Sequence, residues 1–246
     1  MGANIAAYTD PTVVASTTYS YRVVAFNMTG NSAPSNIATV TTPAPPVVGP
    51  TAPTNLTATL LSNPTRTQLS WTDASNNENL FQVWRSVNSG AFVQIATVNR
   101  SAALRTATGG TVNFTNTGVV AGNTYAYYII AVNTVPNPDQ SSVPSNTASV
   151  TLPTLPARPT NLRVTGVTQT TVSLAWNDNS NNEVDFEIQW RLGGGVWQTA
   201  GVVPANTTVY IDTGWSPNIT IFYRVRARNA GGNSAWSNTV TALTAP

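Results

Sequence analysis

Trp71-Thr-Asp-Ala-Ser-Asn-Asn-Glu78 is met a second time as Trp176-Asn-Asp-Asn-Ser-Asn-Asn-Glu183. Self-similarity at a fixed spacing marks a repeat array, in which each copy is one structural unit and not a slice of a single large domain. The likeness extends outward from this stretch: Pro53-Thr-Asn-Leu56 answers to Pro159-Thr-Asn-Leu162, and Phe81 to Phe186. A second pattern occurs three times, as Tyr19 to Ala25-Phe-Asn27, Tyr125 to Ala131-Val-Asn133 and Ile221 to Ala227-Arg-Asn229. Each occurrence is followed by Ser-Asn, at 35–36, 145–146 and 237–238, and then by a run of Thr, Val and Ala. Two whole repeats therefore follow the back half of a third.

Two proline-rich stretches, Thr42 to Pro53 and Leu152 to Pro159, punctuate the chain. Prolines at this density favour extended, semi-rigid spacers. The expected organisation is a half unit at 1–42, a spacer at 43–52, a domain at 53–152, a spacer at 153–158 and a domain at 159–246. Within the domains, Gln68-Leu-Ser-Trp71, Phe81-Gln-Val83 and Tyr125-Ala-Tyr-Tyr-Ile129 alternate with period two between Gly, Asn, Pro and Ser turns. Many short strands at regular spacing predict an all-β class built of sandwiches.

These landmarks together resemble the fibronectin type III module. The resemblance rests on the Pro-rich entry, the Trp on the second strand (Trp71, Trp176), and the aromatic-X-aliphatic third strand (Phe81/Val83, Phe186/Ile188). It rests also on the penultimate strand that ends in Ala-X-Asn. It implies tandem immunoglobulin-like sandwiches of seven strands, A-B-E on one sheet and C′-C-F-G on the other. Two departures stand out. Ile221 replaces the family's corner tyrosine, so that corner must be closed by other bonds, with a loss on the order of 1 kcal/mol for the missing hydrogen bond. The F–G loop is longer between Asn133 and Asn146 than between Asn229 and Asn238, and no Arg-Gly dipeptide offers the family's adhesive tripeptide.

Tyr8 precedes Tyr19 by the same interval as Phe114 precedes Tyr125 and Tyr210 precedes Ile221. The chain is therefore expected to open at strand E, with strands A to C′ of that unit, roughly 45–55 residues, lying before Met1 or supplied by another chain. Three strands alone leave edges and an apolar face unpaired.

Composition narrows the function. Charged residues are 8% of the chain, against roughly 25% in an average soluble domain. The net charge is +2, and the high isoelectric point of about 9.2 reflects scarce titrating groups and not a basic patch. Nucleic acid, which needs clustered Lys and Arg, is not an expected partner. Without Cys there is no disulfide framework and no thiolate site. Without His, Cys or Lys the usual general base, thiol nucleophile and Schiff-base amine are all missing, so no enzyme activity and no cofactor are expected. No run is long and apolar enough to insert in a membrane.

Three clusters remain. Asp73 and Glu78, and their counterparts Asp178 and Glu183, could offer oxygens to calcium. The glycine and ligand spacing of an EF-hand are missing, and the pattern favours a turn whose Asp and Asn side chains satisfy local backbone groups. Asp185 and Glu187 share a strand face opposite Arg224, Arg226 and Arg228, which reads as cross-strand ion pairing and not as a glycosidase pair. Trp84, Trp197, Trp215 and Trp236 fall outside the core Trp position. Of these, Trp84 should face outward, and Trp236 stands where the other copies have Pro34 and Pro144. Trp84 and Trp236 are candidates for stacking on a sugar ring, or for covering a sheet edge.

The function expected is a non-catalytic extracellular or cell-surface spacer, adhesive stalk or assembly module. Its partners would be other chains or the remaining domains of a longer parent. One rival is an accessory region of a secreted polysaccharide-degrading enzyme, in contact with polysaccharide. Another is the subunit of an extracellular filament, completed by strands from a neighbouring chain.

Overall fold

The computed structural model describes residues 5–46, 48–62, 64–101, 107–135 and 139–246. Val47 of the first proline-rich stretch and residues 136–138 of the long F–G loop lie outside them. Among the described residues all regular structure is strand. The chain divides into two units, Met1–Val48 and Gly49–Pro246.

In the first unit β1 (Thr18–Tyr21) pairs antiparallel with β4 (Ala38–Thr41), and β2 (Phe26–Asn27) with β3 (Gly30–Asn31) makes a short hairpin. The amide of Val14 donates to the Tyr19 hydroxyl at 2.7 Å, and the Tyr21 hydroxyl donates to Asp10 at 3.0 Å.

The second unit holds two complete sandwiches. The first is built of β5 (Thr54–Leu61), β6 (Arg66–Thr72), β7 (Leu80–Val87), β8 (Val93–Asn99), β9 (Thr111–Asn116), β10 (Thr124–Asn133), β11 (Gln140–Ser141) and β12 (Ala148–Thr151). One sheet runs β5-β6-β9. The other runs β8-β7-β10, with both β11 and β12 on the far edge of β10. The second sandwich repeats this order with β13 (Thr160–Val167), β14 (Thr171–Asn177), β15 (Asp185–Leu192), β16 (Gln198–Pro204), β17 (Val209–Thr213), β18 (Thr220–Asn229), β19 (Gly232–Asn233) and β20 (Val240–Leu243). Its sheets are β13-β14-β17 and β16-β15-β18, with β19 and β20 along β18. These are the two sheets that the fibronectin-like resemblance implies.

Period-two alternation does the folding work. On β6, Thr67, Leu69 and Trp71 point inward while Arg66, Gln68, Ser70 and Thr72 do not, and on β10 Tyr125, Tyr127, Ile129 and Ala131 are buried. Trp71 meets Phe81 edge-on at 5.6 Å, and Trp176 meets Phe186 at 5.7 Å, across the gap between the sheets. A buried aromatic of this size contributes several kcal/mol to a small domain.

The repeated asparagines and serines have specific tasks. In Pro-Thr-Asn-Leu, Asn55 and Asn161 take φ of 55° and 53°, within register shifts of β5 on β6 and of β13 on β14. Asn tolerates that left-handed backbone better than other residues with a Cβ. In the two complete sandwiches the Asn of the Ser-Asn pair ties the last strand to the first: Asn146 accepts from the Leu56 amide and donates to its carbonyl, both at 2.9 Å. Asn238 does the same for Leu162 at 3.0 and 2.8 Å. Where the edge leaves the ladder, the Ser145 and Ser142 hydroxyls accept from the amides of Ile129 and Ala131 at 3.0 Å, and Ser237 and Ser234 serve Val225 and Ala227 at the same distance. The strand is broken there without orphaning buried amides.

The Ile221 corner is closed by Thr244. Its hydroxyl donates to Ser216 O and accepts from the Ile219 amide, both at 2.8 Å, and Trp215 packs edge-on against Trp190 at 4.9 Å. These contacts replace the bond that Tyr125 makes with the Val120 amide in the first sandwich at 2.8 Å. A net loss of one bond at this corner therefore does not follow.

Candidate functional site

Each complete sandwich presents the outer face of its C′-C-F-G sheet, and the two faces differ in kind. In the second, β15 and β18 place Asp185, Glu187, Gln189 and Arg191 opposite Arg228, Arg226, Arg224 and Phe222. Arg228 grips Asp185 with two bonds, 2.6 and 3.0 Å, and Arg226 meets Glu187 at 2.6 Å. Arg224 donates twice to the Gln189 carbonyl oxygen, at 3.1 and 2.7 Å.

Aromatic rings fill the spaces between these guanidiniums. Arg224 lies 4.2 Å from the Trp197 ring centre and 3.9 Å from that of Trp236, while Arg226 lies 4.4 Å from Trp236. Arg191 reaches Trp197 at 4.8 Å and Phe222 at 5.5 Å. The result is a ladder of planar cations and rings, each contact contributing about 0.5–1 kcal/mol at a partly exposed site. Burial, and then repulsion from Arg226, lower the pKa of Arg224, while the bonds to Asp185 raise that of Arg228. Glu187 is pushed up by burial, but the bonds and charges of Arg226, Gln189 and Arg228 outweigh this and hold it below the ordinary range. Trp236, a candidate for stacking on sugar, has its ring engaged by two guanidiniums.

The corresponding rows of the first sandwich carry no charge. Leu80, Gln82 and Trp84 lie opposite Val132, Ile130 and Tyr128. Trp84 and Tyr128 are nearly parallel, with centres 5.9 Å apart, and Phe92 leans on Tyr128 at 4.6 Å. The Trp84 indole donates to Gln82 at 3.2 Å, and Gln94 donates to Thr97 at 3.1 Å. Trp84 is half-buried on the outer face.

The two Asn-Asn-Glu turns also differ. In the first copy Asp73 and Glu78 are buried, and Arg100 stands between them, 2.6 Å from Asp73 and 3.5 Å from Glu78. A guanidinium thus lies where the two carboxylates converge. In the second copy Ala205 occupies the matching place, Asp178 bonds the Ser180 amide at 3.0 Å, and Glu183 accepts from the Asn206 amide at 3.2 Å. Both aspartates cap their own turns, Asp73 bonding the Ser75 amide at 3.1 Å. Among the described residues no group of three or more His, Cys, Asp or Glu could hold a metal ion, and no helix is long and apolar enough to cross a membrane.

Several of these residues escape sequence reasoning. Arg100, Arg191 and Trp190 gave no signal, because their partners lie on other strands. One signal was available: a carboxylate or side-chain amide eleven positions before the second strand-F aromatic. Asp10, Asn116 and Asp212 stand there, and their side chains bond the hydroxyls of Tyr21, Tyr127 and Tyr223 at 3.0, 2.9 and 2.8 Å.

The fibronectin type III domain model matches residues 157–242, which is the second complete sandwich. Exoglucanase B of Cellulomonas fimi is 31% identical over 253 residues, taking in 98% of this chain and 21% of that protein. Receptor-type tyrosine-protein phosphatase F of Bos taurus is 36% identical over 99 residues, 40% of this chain and 5% of that protein. The chain thus spans about a fifth or less of the length of these curated relatives. Among solved structures, the FN1–FN3 domains of chicken CNTN1 align with a TM-score of 0.54 over 95% of this chain and 77% of that one, at 18% identity, a likeness of fold. The first complete sandwich repeats the strand order and registers of the matched one. Residues 157–242 are thus a fibronectin type III domain, and the first complete sandwich, with the same strand order, the same paired Trp-Phe core and the same Ser-Asn edge, is a second copy of that fold in tandem.

Proposed function

We propose that this chain is a non-catalytic extracellular spacer, accessory to a polysaccharide-degrading enzyme. The observation that carries this reading is the alignment of nearly the whole chain with a stretch amounting to a fifth of an exoglucanase. The side chains of the second sandwich's outer face support it, since its acids are bound to arginines and its rings to guanidiniums. A zymogram of the native protein, detected with an antibody to this chain, tests it. The expected result is glucanase activity in the antibody-reactive band, with none from residues 1–246 alone. An antibody-reactive band without that activity overturns the accessory role.

The neutral face around Trp84 favours a second reading, direct contact with polysaccharide. Rings flanked by amides and hydroxyls suit uncharged sugars, and no charge on the β7 and β10 rows has to be desolvated. Sedimentation of the chain with amorphous cellulose, lost on Trp84→Ala and kept on Trp236→Ala, is the expected result.

A further inference from the structure

The segment between the two complete sandwiches is held along its length. The carbonyl of Thr154 accepts from the side-chain amides of both Asn182, at 3.1 Å, and Asn229, at 2.9 Å, which uses both of its lone pairs. Asn182 also donates to the Thr154 hydroxyl at 3.2 Å. The Asn229 amide is oriented from both ends, since its nitrogen donates to Asn182 O at 3.1 Å and its oxygen accepts from Gly231 N at 2.8 Å.

Beside it the backbone of Pro153 approaches Gly231 so closely that a Cβ there would lie 2.2 Å from the Pro153 carbonyl oxygen. No left-handed φ calls for this glycine. The requirement is close passage of another backbone. Leu155 likewise lies 2.9 Å from where Gly232 would carry a Cβ. On the other side the Gly122 amide donates to Leu152 O and Pro153 O at 3.1 and 3.2 Å, and Leu152 is buried in the first sandwich. The Thr65 hydroxyl crosses the joint directly to Ala230 O at 3.3 Å.

We propose that Asn182, Asn229 and Gly231 form a built clasp for the extended segment Leu152 to Pro156, which makes the two complete sandwiches one rigid strut. This assigns a task to the second Asn of Asn-Asn-Glu and to the last Asn of strand F, both of which recur as Asn77 and Asn133. Val135 stands in the place of Gly231, so the glycine notch belongs to the second sandwich. Prolines flanking the clasped residues limit the freedom that docking must remove. The strut holds whatever domains flank the chain, so it stands or falls apart from the accessory role above.

Nitrogen-15 relaxation of residues 1–246 tests the clasp, because tumbling reports the joint and not the stability of either core. The expected result is one shared rotational diffusion tensor for both sandwiches, separating into two in Gly231→Ala and in the double variant Asn182→Ala/Asn229→Ala. Independent tumbling in the unaltered chain overturns the strut. A single tensor retained in both variants, with dispersed spectra, overturns the assignment to these residues.

Discussion

Glu78 and Glu183 close the same turn, yet their surroundings shift them in opposite directions. Arg100 makes its close contact, 2.6 Å, with Asp73 and lies 3.5 Å from Glu78, so burial, reinforced by the neighbouring charge of Asp73, prevails and pushes Glu78 up. Burial also pushes Glu183 up, but its own amide, the Ser180 hydroxyl and the amides of Asn206 and Asn182 outweigh it and hold Glu183 below the ordinary range. The consequences for stability therefore oppose each other. The first sandwich gains from a protonated Glu78 at low pH, and that gain is lost as pH rises through the raised value. The second sandwich gains from an ionised Glu183 above the ordinary carboxylate range, and that gain is lost as pH falls through the lowered value. At pH 7, Glu78→Gln is expected to raise the melting temperature of the first sandwich, with the difference vanishing near pH 3. Glu183→Gln should destabilise the second sandwich by roughly 1.5–3 kcal/mol at pH 7, the usual worth of hydrogen bonds to a charged group. Thermal unfolding at the two pH values checks both, and a stabilising Glu183→Gln would contradict the amide cradle.

At the scale of elements, the decisive change is one residue on the edge beside β18. Where Pro34 and Pro144 precede Ser-Asn, the second complete sandwich has Trp236, and its ring receives Arg224 and Arg226. Trp236→Pro restores the residue of the other copies, so the edge itself should survive. The ladder loses two contacts, and the second sandwich should lose about 1–2 kcal/mol. Arg224→Lys keeps the charge but not the plane that stacks on Trp197 and Trp236. It should reproduce much of the loss in urea unfolding at low and high salt alike. A loss that disappears in salt would mean that ion pairing, not stacking, holds this face.

For the whole molecule, the two cores are separate and the joint between them is not loose. Trp176→Ala is expected to cost the second sandwich roughly 3–5 kcal/mol, the range for deleting a large buried aromatic. If the proline spacer isolated the domains, the first sandwich would melt unchanged. With Thr65, Pro153 and Thr154 engaged across the joint, it should lose a little, no more than about 2 kcal/mol for a few hydrogen bonds. Differential scanning calorimetry resolves the two contributions, and an unshifted first transition would argue against coupling.

What the sequence determines by itself is local and periodic. Alternation along β6, β7 and β10 commits Trp71, Phe81 and Tyr125 to a core without reference to any partner, because side chains two apart share a face. Repetition then names the units, and the cross-strand pairing of Arg226 with Glu187 and Arg228 with Asp185 is legible because charges of opposite sign alternate on two strands that the fold makes neighbours. What only the tertiary structure decides is which distant side chain meets which. Arg100 and Ala205 differ at one position, and that exchange changes what stands between the carboxylates of the preceding turn. Trp197 and Arg191 become rungs only because β16 and β18 flank β15 in one register. Asn182 and Asn229 converge on Thr154 from separate loops. Such contacts depend on register and chain path summed over many residues, and no local pattern carries that information.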